Sequence, residues 1–148
     1  MTKSENATRY FSNTFNCSQA VLTAFGQDYG LTEDQCLKLG CAFGGGMGRQ
    51  QMTCGAVTGA LMVLGLKFGR AADDLSSKTV MTYAKTVEFF TEFKKRNGSI
   101  TCRELLQGLD MNNPEDLEKI QKLELFQTVC LKYVQNAVEI TGKIINNI

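Results

Sequence analysis

Histidine is missing from the 148 residues, and so is tryptophan. Without histidine there is no conventional general base near neutral pH, no mixed Cys/His zinc site, no proximal haem ligand of the usual kind and no Ser-His or Cys-His couple. Hydrolytic chemistry is therefore a poor fit, and what remains is thiol, carboxylate, lysine or tyrosine chemistry, or a cofactor. Charge of one sign is lacking too: 16 basic residues face 15 acidic ones. No global field recruits nucleic acid or an anionic membrane surface. The longest apolar run, Ala56 to Leu66, is interrupted by Thr58, Gly59 and Gly65 and stops at Lys67. That falls short of the ~20 residues a membrane-spanning helix needs, so no membrane insertion is expected. The opening residues MTKSENATRYF carry no apolar leader segment. A cytoplasmic location is expected, where thiols stay reduced, so six cysteines point to catalysis, metal binding or burial before a permanent disulfide framework.

Proline is nearly absent, with one residue, and apolar positions recur at helical spacing. These features predict an all-α protein, one domain over 1–148, folded as a compact bundle of about five to seven helices with a Gly-rich loop before the central helix. Thr2 or Ser4 caps a first helix to about Ser12. Asn16-Cys17-Ser18-Gln19 has the form of a capping box and starts a helix through Phe25. Thr32 to Gln35 opens another that reaches Leu39. GCAFGGGMGRQQ reads as a loop, and TCGAVTGA then begins a helix to about Phe68, stopped by Gly69. A longer helix over about Asp74 to Arg96 carries Val80, Tyr83, Ala84, Val87, Phe90 and Phe93 on one face. Lys94, Lys95 and Arg96 in its last turn suit the negative end of the helix dipole rather than nucleic acid. Thr101 to Glu104 is a third capping box, for a short helix to Gln107. Asn113-Pro114 starts the last helical region, with the stripe Phe126, Val129, Cys130, Tyr133, Ala137, Ile140, Ile144.

Cys17, Cys54 and Cys102 each follow a capping-type residue, which places all three thiols at the first position of a helix. Unpaired N–H groups and the positive dipole end favour a thiolate there. Lowering a free thiol from about 8.5 to about 7 is worth about 2 kcal/mol and leaves it half ionised at neutral pH. Gly55, Ala56, Gly59 and Ala60 form a small-residue face on which a second helix, or a flat cofactor, can approach closely. The Gly-rich segment lacks the Gly-Lys-Ser/Thr of a phosphate loop and the spacing of a dinucleotide fingerprint. Its backbone, with Gly45, Gly46 and Arg49, is instead expected to approach the Cys54 thiol and favour the anion, with Gly55 and Gly59 completing a candidate cofactor-binding surface. Arg103 is expected to act likewise on Cys102. Cys130 lies within the apolar stripe, where desolvation raises a thiol pKa. Cys36 and Cys41 read as incidental.

The pattern formed by Cys17, Cys54-Gly55-Ala56-Val57-Thr58-Gly59, Cys102 and Cys130 resembles the C-GCAxxG-C-C family of small redox-active proteins. NCSQAV, FGGGMGR and CRELL are similar to family text as well, so the resemblance runs from about Asn16 to Ile140. It implies that the four characteristic cysteines are Cys17, Cys54, Cys102 and Cys130. A literal GCAxxG at Gly40 to Gly45 offers Cys41 as an alternative. Three functions stay open. The first is a thiol oxidoreductase or electron carrier, shuttling between dithiol and disulfide, needing no cofactor and served by a redox partner protein or a small electron carrier. The second is an iron-sulfur cluster or zinc site with Cys17, Cys54, Cys102 and Cys130 as metal ligands, although no paired spacing supports it. The third is a non-enzymatic helical interaction module, as a homodimer through the small-residue helix, with buried thiols.

Overall fold

The computed structural model describes residues 1–146, and among them every element is helical. The helices are α1 (Lys3–Ser12), α2 (Cys17–Gly26), α3 (Glu33–Cys41), α4 (Gly55–Phe68), α5 (Ser77–Asn97), α6 (Cys102–Leu105), α7 (Pro114–Lys122) and α8 (Val129–Asn146), with a 3-10 turn at Gln27–Tyr29. The all-α expectation is met. The count of eight exceeds the expected five to seven because the last region divides: turns after Lys122, with Glu124 at φ 53°, separate α7 from α8.

Local chemistry sets most of the helix starts. Thr2 with Glu5, Asn16 with Gln19 and Thr32 with Gln35 each close a reciprocal capping box. Asn113 accepts from the Glu115 and Asp116 N–H groups, and Pro114 takes the first helical position. The expected box at Thr101 does not form: the Glu104 carboxylate instead accepts from the Ser99 hydroxyl, whose oxygen accepts from the Thr101 N–H at 3.0 Å. α3 also runs past Gly40 to Cys41.

α2 and α4 form the central pair. α1 and α3 flank α2, α5 flanks α4, and α8 packs on α1, α2, α4 and α5. The small-residue face of α4 lies against α2: a side chain on Gly59 would meet Ser18 O at 2.8 Å, and one on Gly55 would meet the Cys17 Cβ at 3.2 Å. That face is buried within the chain. The expected homodimer through it is corrected accordingly, and Gly59 serves helix packing rather than a cofactor. Around this pair lies the main core, with Phe89 and Phe93 of α5 among its largest fully buried side chains. Val80, Tyr83 and Val87 are exposed, so the stripe expected to share a face with Phe93 points mainly to water. A second apolar cluster is made by Cys102, Leu106, Met111, Ile120, Leu125 and Cys130. Phe11 and Cys17 pack against both clusters.

Candidate functional site

Cys54 belongs to the main core, Cys102 and Cys130 to the second cluster, and Cys17 touches both. At this seam the apolar packing leaves a cavity of about 550 Å³ lined by all four thiol-bearing residues. Each comes from the beginning of a different helix. Cys17 and Cys102 occupy the first positions of α2 and α6, Cys54 is the residue just before α4, and Cys130 sits in the first turn of α8. The expected placement of Cys54 inside its helix thus moves by one residue. Cys130, read from sequence as part of a mid-helix stripe, is also at a helix start.

Backbone pairing brings Cys54 to Cys102. Thr53 and Thr101 form an isolated antiparallel bridge. The Cys54 N–H donates to Ile100 O at 2.8 Å, and the Cys102 N–H donates to Met52 O at 2.7 Å. Cys17 arrives differently, on α2, through the close approach that Gly55 permits. Cys130 is seated by its N–H donating to Leu125 O at 3.1 Å.

The Gly-rich loop is ordered and wound in the unusual hand. Gly45, Gly46, Met47, Gly48 and Arg49 all have positive φ, between 56° and 70°. For Met47 and Arg49 this costs roughly 1 kcal/mol each. Hydrogen bonds within the segment offset the strain: the Met47, Gly48, Arg49, Gln51 and Met52 N–H groups donate to the Phe43, Ala42, Gly44, Gly45 and Gly46 carbonyls at 2.8 to 3.1 Å. These N–H groups are consumed inside the loop and are not free for the Cys54 thiol, whereas the Gly44, Gly45 and Gly46 N–H groups have no acceptor among the described residues, and Gly45 and Gly46 line the cavity. Gly46 is tightly confined, since a side chain there would lie 2.8 Å from the Cys102 Cβ.

Sequence reasoning passed over Gln51. Its side chain is buried and works like an inserted peptide group: Nε2 donates to Leu109 O at 2.8 Å and Oε1 accepts from the Met111 N–H at 2.8 Å. With Asn112 Nδ2 donating to Arg49 O at 2.7 Å, it fixes Met111 as a wall of the cavity. A polar residue between the Gly-rich run and Cys54 was the available signal. Of the other expected site residues, Gly45, Gly46, Arg49 and Gly55 line the cavity and Gly59 does not. Cys41 is exposed, and Cys36 is buried beneath Gly26, away from the cavity.

Electrostatics oppose the expected thiolates. Burial pushes all four thiols up. Cys17 is raised well above the ordinary range by desolvation and then by the neighbouring thiols, Cys54 first. Cys102 and Cys130 are each pushed up to about 12, by desolvation and then by the charge Cys54 would carry. Cys54 is raised by burial, but the Ala56 and Val57 N–H groups at the start of α4 pull in the opposite direction. The dipole effect is therefore present and outweighed by desolvation. Arg49 lowers Cys102 rather than Cys54, and the Arg103 guanidinium turns away, its Nε donating to Gly108 O at 2.8 Å. Tyr133 on the cavity wall donates to Leu105 O at 2.8 Å.

An all-helical chain whose helix beginnings gather four thiols around an apolar cavity is, in class, a multi-cysteine helical protein. Residues 15–144 match the family described as "Putative redox-active protein (C_GCAxxG_C_C)", and the chain belongs to it. Membership carries a redox role in general terms. No curated protein matches the chain, and no solved structure does. Among the described residues no group of three or more His, Cys, Asp or Glu side chains is arranged to hold a metal ion, and no helix is long and apolar enough to cross a membrane.

Proposed function

We propose that the chain is a dithiol/disulfide redox protein in which Cys54 pairs with Cys17, while Cys102 and Cys130 complete the thiol ring. The observation that carries this reading is the gathering of four thiols, distant in sequence, on one cavity. Cys54 is the hub: the charge it would carry as a thiolate raises Cys17, Cys102 and Cys130 alike, ahead of that of any other thiol. It is also the thiol whose anion two backbone N–H groups favour, which suits it as the attacking sulfur. Cys17 is the natural partner because Gly55 lets its backbone come close and because Cys54 is the neighbouring thiol that raises it most. On oxidation two S–H bonds break and one S–S bond forms, and two electrons and two protons pass to an acceptor. The reverse restores the dithiol. A metal centre on the same four residues finds less support, since their side chains ring a cavity instead of converging on a point as ligands do.

The test is peptide mapping after mild oxidation with diamide, in a Cys41→Ser background that removes the exposed thiol. A Cys17–Cys54 linkage is expected. Five free thiols after oxidation, or a linkage that omits Cys54, would overturn the proposal.

A further inference from the structure

Resting on the dithiol reading above, the geometry points to a planar quinone-type carbonyl compound, bound inside the thiol cavity, as the electron acceptor of this protein. Access is the first argument. Cys54, Cys102 and Cys130 are only 5%, 8% and 9% exposed. Exchange with a protein disulfide requires a partner sulfur to reach the attacking thiol in line; Cys17 is partly exposed as a residue, but Cys54, the attacking sulfur, is buried, and a folded partner cannot follow it below the surface. A small molecule can, because the space beside them is about 550 Å³, within the range of small-molecule sites.

The lining defines the class of molecule. The buried floor carries the thiols with Leu106 and Met111, while Phe11, Phe15, Phe126 and Tyr133 supply aromatic walls. Such walls suit a flat ring, stacked or edge-on. Among the described residues the lining has one charged side chain, that of Arg49 at the exposed rim, and no carboxylate. A guanidinium fits a carbonyl oxygen that gains negative charge as it is reduced. One cation does not match the several negative charges of a nucleotide's phosphates, and the N–H groups of Met47 to Met52 are already bonded to carbonyls, which leaves only those of Gly44, Gly45 and Gly46 in the loop.

The chemistry closes without a further reactant. Two thiols give up two hydrogens and form one disulfide. The two quinone C=O groups become C–OH groups, taking both electrons and both protons. Because burial raises both Cys17 and Cys54, the pair brings its own protons, and no histidine is needed to relay them.

The test uses the full-length reduced protein with Cys41→Ser, without oxygen, and tetramethyl-1,4-benzoquinone, whose substituted ring leaves no hydrogen for a thiol to displace. Diamide and the disulfide form of a small thioredoxin-like protein run alongside. Expected are one hydroquinone per disulfide formed, a rate that saturates with quinone, and no oxidation by the protein disulfide on that timescale. Arg49→Asn, which keeps a residue tolerant of positive φ, raises the half-saturating quinone concentration about ten-fold. If diamide forms the Cys17–Cys54 bond while quinone reacts without saturation or not at all, the quinone assignment is wrong and the dithiol reading stands. Equal oxidation by the protein disulfide also overturns the quinone assignment. If diamide too leaves these thiols free, the dithiol reading falls and the acceptor with it.

Discussion

Thr53 and Thr101 face one another across a single antiparallel bridge, and the residue following each is a cysteine that lines the cavity. The pairing is made by main-chain groups, through the Cys54 and Cys102 N–H donors. The relative position of these two thiols therefore depends on backbone register rather than on the side chains at 53 and 101.

The loop beside this bridge has little tolerance. In Gly46→Ala the new methyl group would meet Gln51 Cα and Met52 N at 2.7 Å and the Cys102 Cβ at 2.8 Å, on a residue with φ 70°. Backbone strain and overpacking add, so a loss of about 2 to 4 kcal/mol is expected in urea unfolding. An unchanged midpoint would mean that the loop is not packed against Cys102 as described.

Two glycines of α4 should respond in opposite directions. Gly59→Ala would place a methyl group 2.8 Å from Ser18 O and 3.1 Å from the Val21 Cβ, forcing α2 away. A destabilisation of about 1 to 3 kcal/mol follows. A Cβ on Gly65 meets nothing within 4 Å, so Gly65→Ala should stabilise by up to about 1 kcal/mol through helix propensity. Thermal unfolding of the two variants decides it, and equal effects would contradict the packing.

Alkaline titration tests the buried thiols. Their folded-state pKa values lie above the ordinary thiol value, at about 12 for Cys102 and Cys130. The folded state thus keeps protons that the unfolded chain releases from about pH 8.5 upward. This stabilisation is complete below about pH 8.5 and is lost as pH rises toward 12, at up to about 1.4 kcal/mol per pH unit for each thiol. Urea midpoints between pH 8 and pH 10 should fall more steeply for the native sequence than for Cys102→Ser with Cys130→Ser. Parallel curves would refute the raised values.

Gln51→Glu separates shape from hydrogen bonding. The carboxylate retains an acceptor for the Met111 N–H but loses the donor to Leu109 O and places a charge in a buried site. A cost of about 2 to 4 kcal/mol at pH 7 is expected, smaller at pH 4 where the carboxyl is protonated. A loss independent of pH would point to packing alone.

Features written in a few adjacent residues could be read from the sequence. The Asn16 and Thr32 boxes, the Pro114 start and the helical positions of Cys17 and Cys102 are of this kind, because a capping side chain acts within one turn. The Cys130 helix start escaped, since the break at Glu124 carries neither glycine nor proline. Val80, Tyr83 and Val87 repeat at helical spacing yet face water, because periodicity marks a stripe without saying what covers it. Thiol ionisation was misjudged for a similar reason: the dipole at a helix start is local, whereas desolvation depends on how Phe11, Leu106 and Met111 close around the sulfur. The thiol cavity required the Thr53–Thr101 bridge, which joins two Thr-Cys segments far apart in the chain whose pairing nothing in the sequence announces.

The same bridge has a topological consequence. The chain leaves the cavity at Cys54, runs out along α4, returns along α5 and comes back to the same point at Ile100, so this stretch forms a loop pinched at its neck. Insertions or deletions at its far end, between Gly69 and Ser76, change the size of the loop without shifting the neck. Tags, probes and natural length variation can be accommodated there while the sulfur atoms keep their places.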